Sequence, residues 1–206
     1  IHNKSVVEML ASKGVHEIDS VDQVKNGQTV IIRSHGIGRA EYERLRCSGA
    51  NIVDATCPDV SAIHKTVMEE SDRGRTVVIV GEREHPEVKA IAEWCKKPII
   101  VENAEEAEKL LESGEINKDE PIVAVSQTTG NKINFENSVN CLKKQCTNIK
   151  IADTICRATS MRQEEARQLS KNCDAMIVIG GNHSANSKRL ADICRENCSK
   201  VFFIED

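Results

Sequence analysis

The sequence has 206 residues and a formal net charge of −4, with 29% charged side chains. A chain of this length can bury a real core in one or two domains. Its mildly acidic balance gives no basic surface for nucleic acid or an anionic membrane. Five aromatic residues (one Trp, one Tyr and three Phe) are too few for a base-stacking platform, and no apolar run approaches the roughly eighteen residues of a membrane span.

Nine cysteines are many for this length, but their odd number and irregular spacing do not match a disulfide framework. A reducing cytoplasm is therefore the predicted location. The first three residues, Ile1-His2-Asn3, are typical of the end of a strand. We expect the beginning of that strand to lie upstream of the sequence.

Four units of a short β-branched run, a polar loop and an amphipathic helix follow one another along the chain. The predicted strands are 30–33, 76–80, 122–125 and 175–179, and the helices after them run through Cys47, through Trp94, over 133–142 and to Cys194. This alternation predicts parallel βαβ units, and the continuously apolar strands indicate helices on both faces.

A second repeat overlies these units. Segments 51–57 and 149–156 each run from a short strand to Asp-x-x-Cys and then into a charged helix. The pattern predicts an α/β fold of pseudo-repeated small lobes, each a short, mostly parallel sheet flanked by helices, around a central cleft. We place the lobes at 1–57, 58–152 and 153–206. Ligands of such sheets bind at the carboxyl ends of the strands, where all these polar loops fall.

Cys57 and Cys156 differ from the other cysteines in standing between a strand end and a helix start. A helix N-terminus favours thiolate, the form that binds metals, although a buried free cysteine acting as a small hydrophobe is the commoner case. No Cys-x-x-Cys occurs, which excludes a zinc ribbon or a ferredoxin-type run. The remaining cysteines lie in or beside helices and are predicted to be structural: Cys47, Cys95, Cys141, Cys146, Cys173, Cys194 and Cys198.

Three of the six histidines, His2, His35 and His85, stand at or just after predicted strand ends. Imidazoles in such loops can donate to phosphate oxygens together with backbone N–H groups. Each could also be an exposed loop histidine without a role. Their matching topological positions favour anion binding.

Glu87 follows His85 and Pro86, so it lies in the first turn of a helix. It is either an ordinary helix-start residue or a carboxylate that relays protons beside anion-binding histidines. The loops 126–129 and 180–187 offer hydroxyls and amides at strand ends, which suit a phosphate cradle or simple N-caps.

Taken together, these motifs resemble those of the LytB (IspH) family, the hydroxymethylbutenyl diphosphate reductases. The resemblance spans the chain and includes seven motifs in order: Ile1-His2-Asn3, Ser34-His35-Gly36, Asp54-Ala55-Thr56-Cys57-Pro58, His85-Pro86-Glu87, Ser126-Gln127-Thr128-Thr129, Cys156-x-Ala158-Thr159 and Ser184-x-Asn186-Ser187.

The resemblance implies a [4Fe-4S] cluster with one iron not bound by protein, which reductively dehydroxylates an allylic diphosphate in the non-mevalonate isoprenoid pathway. Cys57 and Cys156 match two cluster ligands, and the third is expected upstream of Ile1. A ferredoxin or flavodoxin would supply electrons. The implied site residues are Glu87 as proton source, Thr128 at the substrate hydroxyl, and His2, His35, His85, Ser184 and Asn186 at the diphosphate.

Two departures from the family pattern are visible. Ala185 stands where the family usually has serine, and a further diphosphate-binding serine is expected beyond Asp206. Because the third cysteine ligand is not in the sequence, two other interpretations stay open. The chain could be a cluster-free diphosphate-binding module, or a redox-sensing interaction protein that uses its many thiols.

Overall fold

A computed structural model of the protein describes residues 4–182 and 184–205. These residues contain no helix that is both long and apolar enough to cross a membrane. The chain forms two compact units, a larger one over Asp19–Ile155 and a smaller one made of the described parts of Ile1–Ile18 and Cys156–Asp206. The N-terminal segment thus shares a unit with the C-terminal quarter of the chain.

Helices and strands alternate along the chain. In order they are α1 (Lys4–Ser12), a 3-10 turn (Val21–Gln23), β1 (Thr29–Ile32), α2 (Arg39–Cys47), β2 (Asn51–Asp54), α3 (Pro58–Asp72), β3 (Thr76–Val80), α4 (Pro86–Glu93), β4 (Pro98–Val101), α5 (Ala104–Glu112), β5 (Ile122–Ser126), α6 (Lys132–Gln145), β6 (Ile149–Ile151), α7 (Arg157–Ser170), β7 (Met176–Ile179), α8 (Ala185–Arg195) and β8 (Val201–Ile204).

The larger unit is built on a four-stranded sheet with the order β4-β3-β5-β6, in which every pair is parallel. All residues of the central strands β3 and β5 are buried. On one face Val78 and Ala124 pack with α5 and α6, and on the other Ile79 and Val125 pack with α3 and α4. The prediction of helices on both faces is confirmed for this sheet.

Strands β1 and β2 form a separate parallel pair in the same unit, and β7 and β8 form another in the smaller unit. In these two-stranded sheets Ile31 and Ile177 are exposed. The continuously apolar pattern therefore wrongly predicted burial on both faces of β1 and β7. In the smaller unit, α8 packs against both strands and against α7.

The α/β class and the small parallel sheets are confirmed, and the four strand–loop–helix units lie where the sequence placed them. Each predicted lobe (1–57, 58–152 and 153–206) contains one of the three sheets. The division into three domains nevertheless stays a prediction, because the chain groups into two compact units.

Candidate active site

The loop after β1 carries His35. The strand ends at Ile32, and the N–H of Gly36 closes a turn by donating to the carbonyl of Arg33 at 2.9 Å. Gly36 adopts φ +69°, a conformation that glycine tolerates best. This turn places the His35 ring beside that of His85, with 5.7 Å between the ring centroids and 80° between their planes.

His85 is the N-cap of α4, and Pro86 occupies the first position of that helix. Nδ1 of His85 accepts a hydrogen bond from the N–H of Glu87 at 3.2 Å. The neutral ring consequently carries its hydrogen on Nε2. Nε2 is therefore the atom that can donate to an anion.

Glu87 lies in the first turn of α4, and it is only 1% exposed. Its carboxyl group accepts two hydrogen bonds from one residue, from the N–H of Thr128 to Oε1 at 2.5 Å and from the Thr128 hydroxyl to Oε2 at 2.8 Å. Burial raises the pKa of Glu87, and the two Thr128 hydrogen bonds oppose that shift. The group is thus poised to hold a proton closer to neutral pH than an ordinary glutamate.

Gln127 joins the loop that precedes α4, the helix of Glu87, to the loop that carries Thr128. It is 2% exposed; its Oε1 accepts from the N–H of Glu82 at 3.0 Å, and its Nε2 donates to the hydroxyl of Thr129 at 3.2 Å. The sequence pattern predicted that this amide suits a phosphate cradle or an N-cap, and it did not predict a link between the two loops. Its partner is 45 residues away, so only the sheet register reveals the contact.

Cys57 and Cys156 occupy equivalent local positions, each in its own unit. Cys57 is the N-cap of α3 with φ −56° and ψ 135°, and Cys156 is the N-cap of α7 with φ −57° and ψ 134°. Neither side chain caps its helix, and both thiols are partly exposed. This near-identity supports the predicted Asp-x-x-Cys repeat, with both sulfur atoms at the positive ends of helix dipoles.

The other cysteines differ from this pair. All nine are free thiols, and burial raises the pKa of Cys95 to about 12 and also raises the pKa values of Cys141, Cys146 and Cys194. Such thiols are poor metal ligands. Across residues 4–182 and 184–205, no three His, Cys, Asp or Glu side chains are grouped so that they could hold a metal ion.

The smaller unit contains Ser184 and Asn186 at the start of α8. The Ser184 hydroxyl accepts from the N–H of Ser187 at 3.3 Å, so it is a helix N-cap, as the simpler interpretation expected. Asn186 Oδ1 is buried and has no hydrogen-bond partner among the described residues. This oxygen is an acceptor, so it suits a ligand that donates a hydrogen bond, whereas an anion would need the Nδ2 hydrogens of the same amide.

The structure brings together His35, His85, Glu87 and Thr128 within the larger unit, and Ser184 with Asn186 in the smaller one. His2 lies outside the described residues. The roles of all these residues, and the sharing of one cluster by Cys57 and Cys156, stay predictions.

Comparison with known proteins adds independent information. The family model described as LytB protein matches residues 1–206. The chain is 42% identical over 208 residues to the 4-hydroxy-3-methylbut-2-enyl diphosphate reductase of Caldanaerobacter subterraneus subsp. tengcongensis, covering 100% of this chain and 70% of that protein.

Two solved structures are also similar. One is (E)-4-hydroxy-3-methyl-but-2-enyl diphosphate reductase, the terminal enzyme of the non-mevalonate pathway, with TM-score 0.73, 39% identity and coverage of 100% of this chain and 72% of that one. The other is the E-1-hydroxy-2-methyl-but-2-enyl-4-diphosphate reductase from Plasmodium falciparum, with TM-score 0.88 and 27% identity. The similarity covers 100% of this chain and 64% of that one.

Proposed function

Because this chain belongs to the LytB protein family, we propose that it reduces (E)-4-hydroxy-3-methylbut-2-enyl diphosphate to isopentenyl and dimethylallyl diphosphate. Two electrons and two protons are consumed, the allylic C–O bond breaks, a C–H bond forms, and the oxygen leaves as water. The observation that carries the proposal is the buried Glu87 carboxyl group, which Thr128 holds at two atoms beside the His35–His85 pair.

The paired imidazoles suit the diphosphate of this substrate. The neutral His85 ring carries its hydrogen on Nε2 because Nδ1 already accepts from the N–H of Glu87. His35 contacts the His85 ring, so the two can contribute donors to one anion. The family resemblance also assigns Ser184 and Asn186 to the diphosphate, and that assignment stays a prediction. Binding the diphosphate fixes the position of the reacting carbon.

Glu87 supplies the proton that the departing hydroxyl needs. Hydroxide is a poor leaving group, and protonation by a positioned carboxylic acid turns it into water. The raised pKa of Glu87 keeps the acid form populated at higher pH than for a solvated glutamate. Thr128 fixes both carboxyl oxygens of Glu87, and its hydroxyl is the group that we propose for contact with the substrate hydroxyl.

The chemistry of Cys57 and Cys156 fits a resident iron–sulfur cluster. Both are free, partly exposed thiols at helix N-termini, where thiolate is favoured. Cys57 and Cys156 would hold a four-iron cluster together with a third ligand, and such a cluster would supply the electrons and the Lewis-acid chemistry for loss of the hydroxyl group. The third cysteine ligand, upstream of Ile1, stays a prediction, as do a ferredoxin- or flavodoxin-type donor and a cytoplasmic location.

An anaerobic turnover assay tests the proposal. The protein is reconstituted with iron and sulfide, mixed with the allylic diphosphate and a reduced one-electron dye, and the products are identified by mass spectrometry. Wild type should form both isoprenoid diphosphates. Glu87→Gln should keep its iron content and visible absorbance but lose about a hundredfold or more in rate.

Glu84→Gln is the matched control. Glu84 is an exposed glutamate three residues upstream, ion-paired with Lys89, and its replacement should leave the rate unchanged. Wild-type turnover by Glu87→Gln would reject the proton role. Cys57→Ser should lose iron, and a variant with full iron content would reject Cys57 as a ligand. Binding of a diphosphate to metal-free protein that takes up no iron on reconstitution and shows no turnover would favour the cluster-free module.

A further inference from the structure

His64 is a buried imidazole that the proposed reaction does not use. It lies within α3, is 8% exposed, and its Nε2 has no hydrogen-bond partner among the described residues. Burial lowers its pKa to about 4, so the ring is neutral at physiological pH. The ring stacks on Trp94 with 5.2 Å between centroids and 17° between planes. Burying a polar ring without a partner costs free energy, which makes a functional reason for it worth seeking.

The stacked pair touches the backbone that follows His35. A Cβ atom on Gly36 would lie only 2.7 Å from Cε1 of His64, so this backbone rests directly against the imidazole. Trp94 Nε1 donates a hydrogen bond to the carbonyl of Ile37 at 3.0 Å. Packing against His64 therefore fixes Gly36, and the hydrogen bond from Trp94 fixes Ile37.

Each ring also belongs to a helix that carries a site residue at its start. His64 is on α3, whose N-cap is Cys57. Trp94 is the C-cap of α4, whose N-cap is His85. The pair thus ties the His35 loop to both helices.

We propose that the stacked His64–Trp94 pair is a positioning device that holds the His35 loop against α4, so that the His35 and His85 imidazoles meet the substrate diphosphate together. The inference rests on the proposed function. Neither ring touches the substrate; both act through the backbone of residues 36 and 37.

A substitution that loosens this loop should weaken diphosphate binding more than it slows chemistry. His35 contributes to ground state and transition state alike, so its displacement should raise KM and leave kcat nearly unchanged. Loss of one hydrogen bond between an imidazole and the charged diphosphate corresponds to about a tenfold or larger loss of affinity.

The test uses Trp94→Phe, which keeps an aromatic ring for stacking but removes the N–H donor. Calorimetry with inorganic pyrophosphate should show about tenfold weaker binding than wild type, and turnover should show a similar rise in KM with kcat within about twofold. Tyr42→Phe is the control. Tyr42 also packs on Trp94, with 6.0 Å between the ring centroids, and its replacement should change neither the pyrophosphate affinity nor the KM.

Hydrogen exchange at the Gly36 amide gives a readout that needs no ligand. This amide donates to the carbonyl of Arg33, and it should exchange faster in Trp94→Phe than in Tyr42→Phe. Unchanged exchange and unchanged pyrophosphate affinity in Trp94→Phe would overturn the positioning role while leaving the proposed function intact. Failure of wild type to bind pyrophosphate at all would overturn both.

Discussion

Replacing Thr128 with valine removes one hydrogen bond from the Glu87 carboxyl group with little change in shape. The lost bond is the one from the Thr128 hydroxyl to Oε2 at 2.8 Å, and the bond from the Thr128 N–H to Oε1 remains. A hydrogen bond to a charged group contributes about 1.5–3 kcal/mol. Thr128→Val should therefore destabilise the Glu87 carboxylate by an energy of this order and raise the pKa of Glu87.

The pKa can be followed by NMR of the carboxyl carbon in protein labelled with ¹³C at glutamate side chains. Thr128→Ser retains a hydroxyl and is the control, with a pKa expected near that of wild type. In turnover, the descending limb of the pH–rate profile, which reports the acid form, should move to higher pH by the same amount. An unchanged or lower pKa of Glu87 in Thr128→Val would refute the assignment of Thr128 as the group that stabilises the carboxylate.

Three further predictions concern stability. The pKa of His64 is about 4 in the folded protein, against 6.5 for an unperturbed histidine. Its contribution to the free energy of unfolding should therefore be complete above pH 6.5 and decrease by at most about 3 kcal/mol as the pH falls toward 4. Urea unfolding of His64→Phe should lack this pH-dependent component. An alanine in the left-handed conformation costs about 1–2 kcal/mol, and Gly36→Ala should destabilise the fold by more than this because its Cβ would also meet His64. Gly74→Ala is the control, since Gly74 has φ +84° and a Cβ there would meet nothing within 4 Å, so it should show only the conformational cost. Equal losses of stability in the two variants would contradict the contact with His64. Because burial raises the pKa of Glu87, its stabilising contribution is present at low pH and is lost as the pH rises through the folded-state pKa. At pH 8, Glu87→Gln should therefore unfold at a higher urea concentration than wild type. A lower urea midpoint for this variant would contradict burial as the cause of the raised pKa.

Much of the fold follows from local sequence signals. Strands β3 and β5 are runs of β-branched and small apolar residues, and both are central in the sheet because such residues suit burial on two faces. β4 and α5 were not among the predicted units. β4 is a four-residue edge strand that begins with Pro98, and the sequence signal of so short an element is weak.

The candidate site was only partly predictable for a different reason. His35, His85, Glu87 and Thr128 could be found because each follows a strand end, where the ligands of parallel sheets gather. The stacked pair could not, because Trp94 reaches a carbonyl 57 residues away and the contact depends on how α3 and α4 pack. His64 lies inside a helix rather than after a strand, so no strand-end pattern marks it.

The central claim is that the His35 and His85 imidazoles form one anion-binding pair at the strand ends of the larger unit. It is tested most directly by titrating inorganic pyrophosphate into protein labelled with ¹⁵N-histidine and following the ring nitrogen resonances. The account predicts that the resonances of His35 and His85 shift together, saturably and with one affinity, while exposed His16 does not respond. Resonances of His35 and His85 that stay unchanged, or that shift with separate affinities, would contradict it.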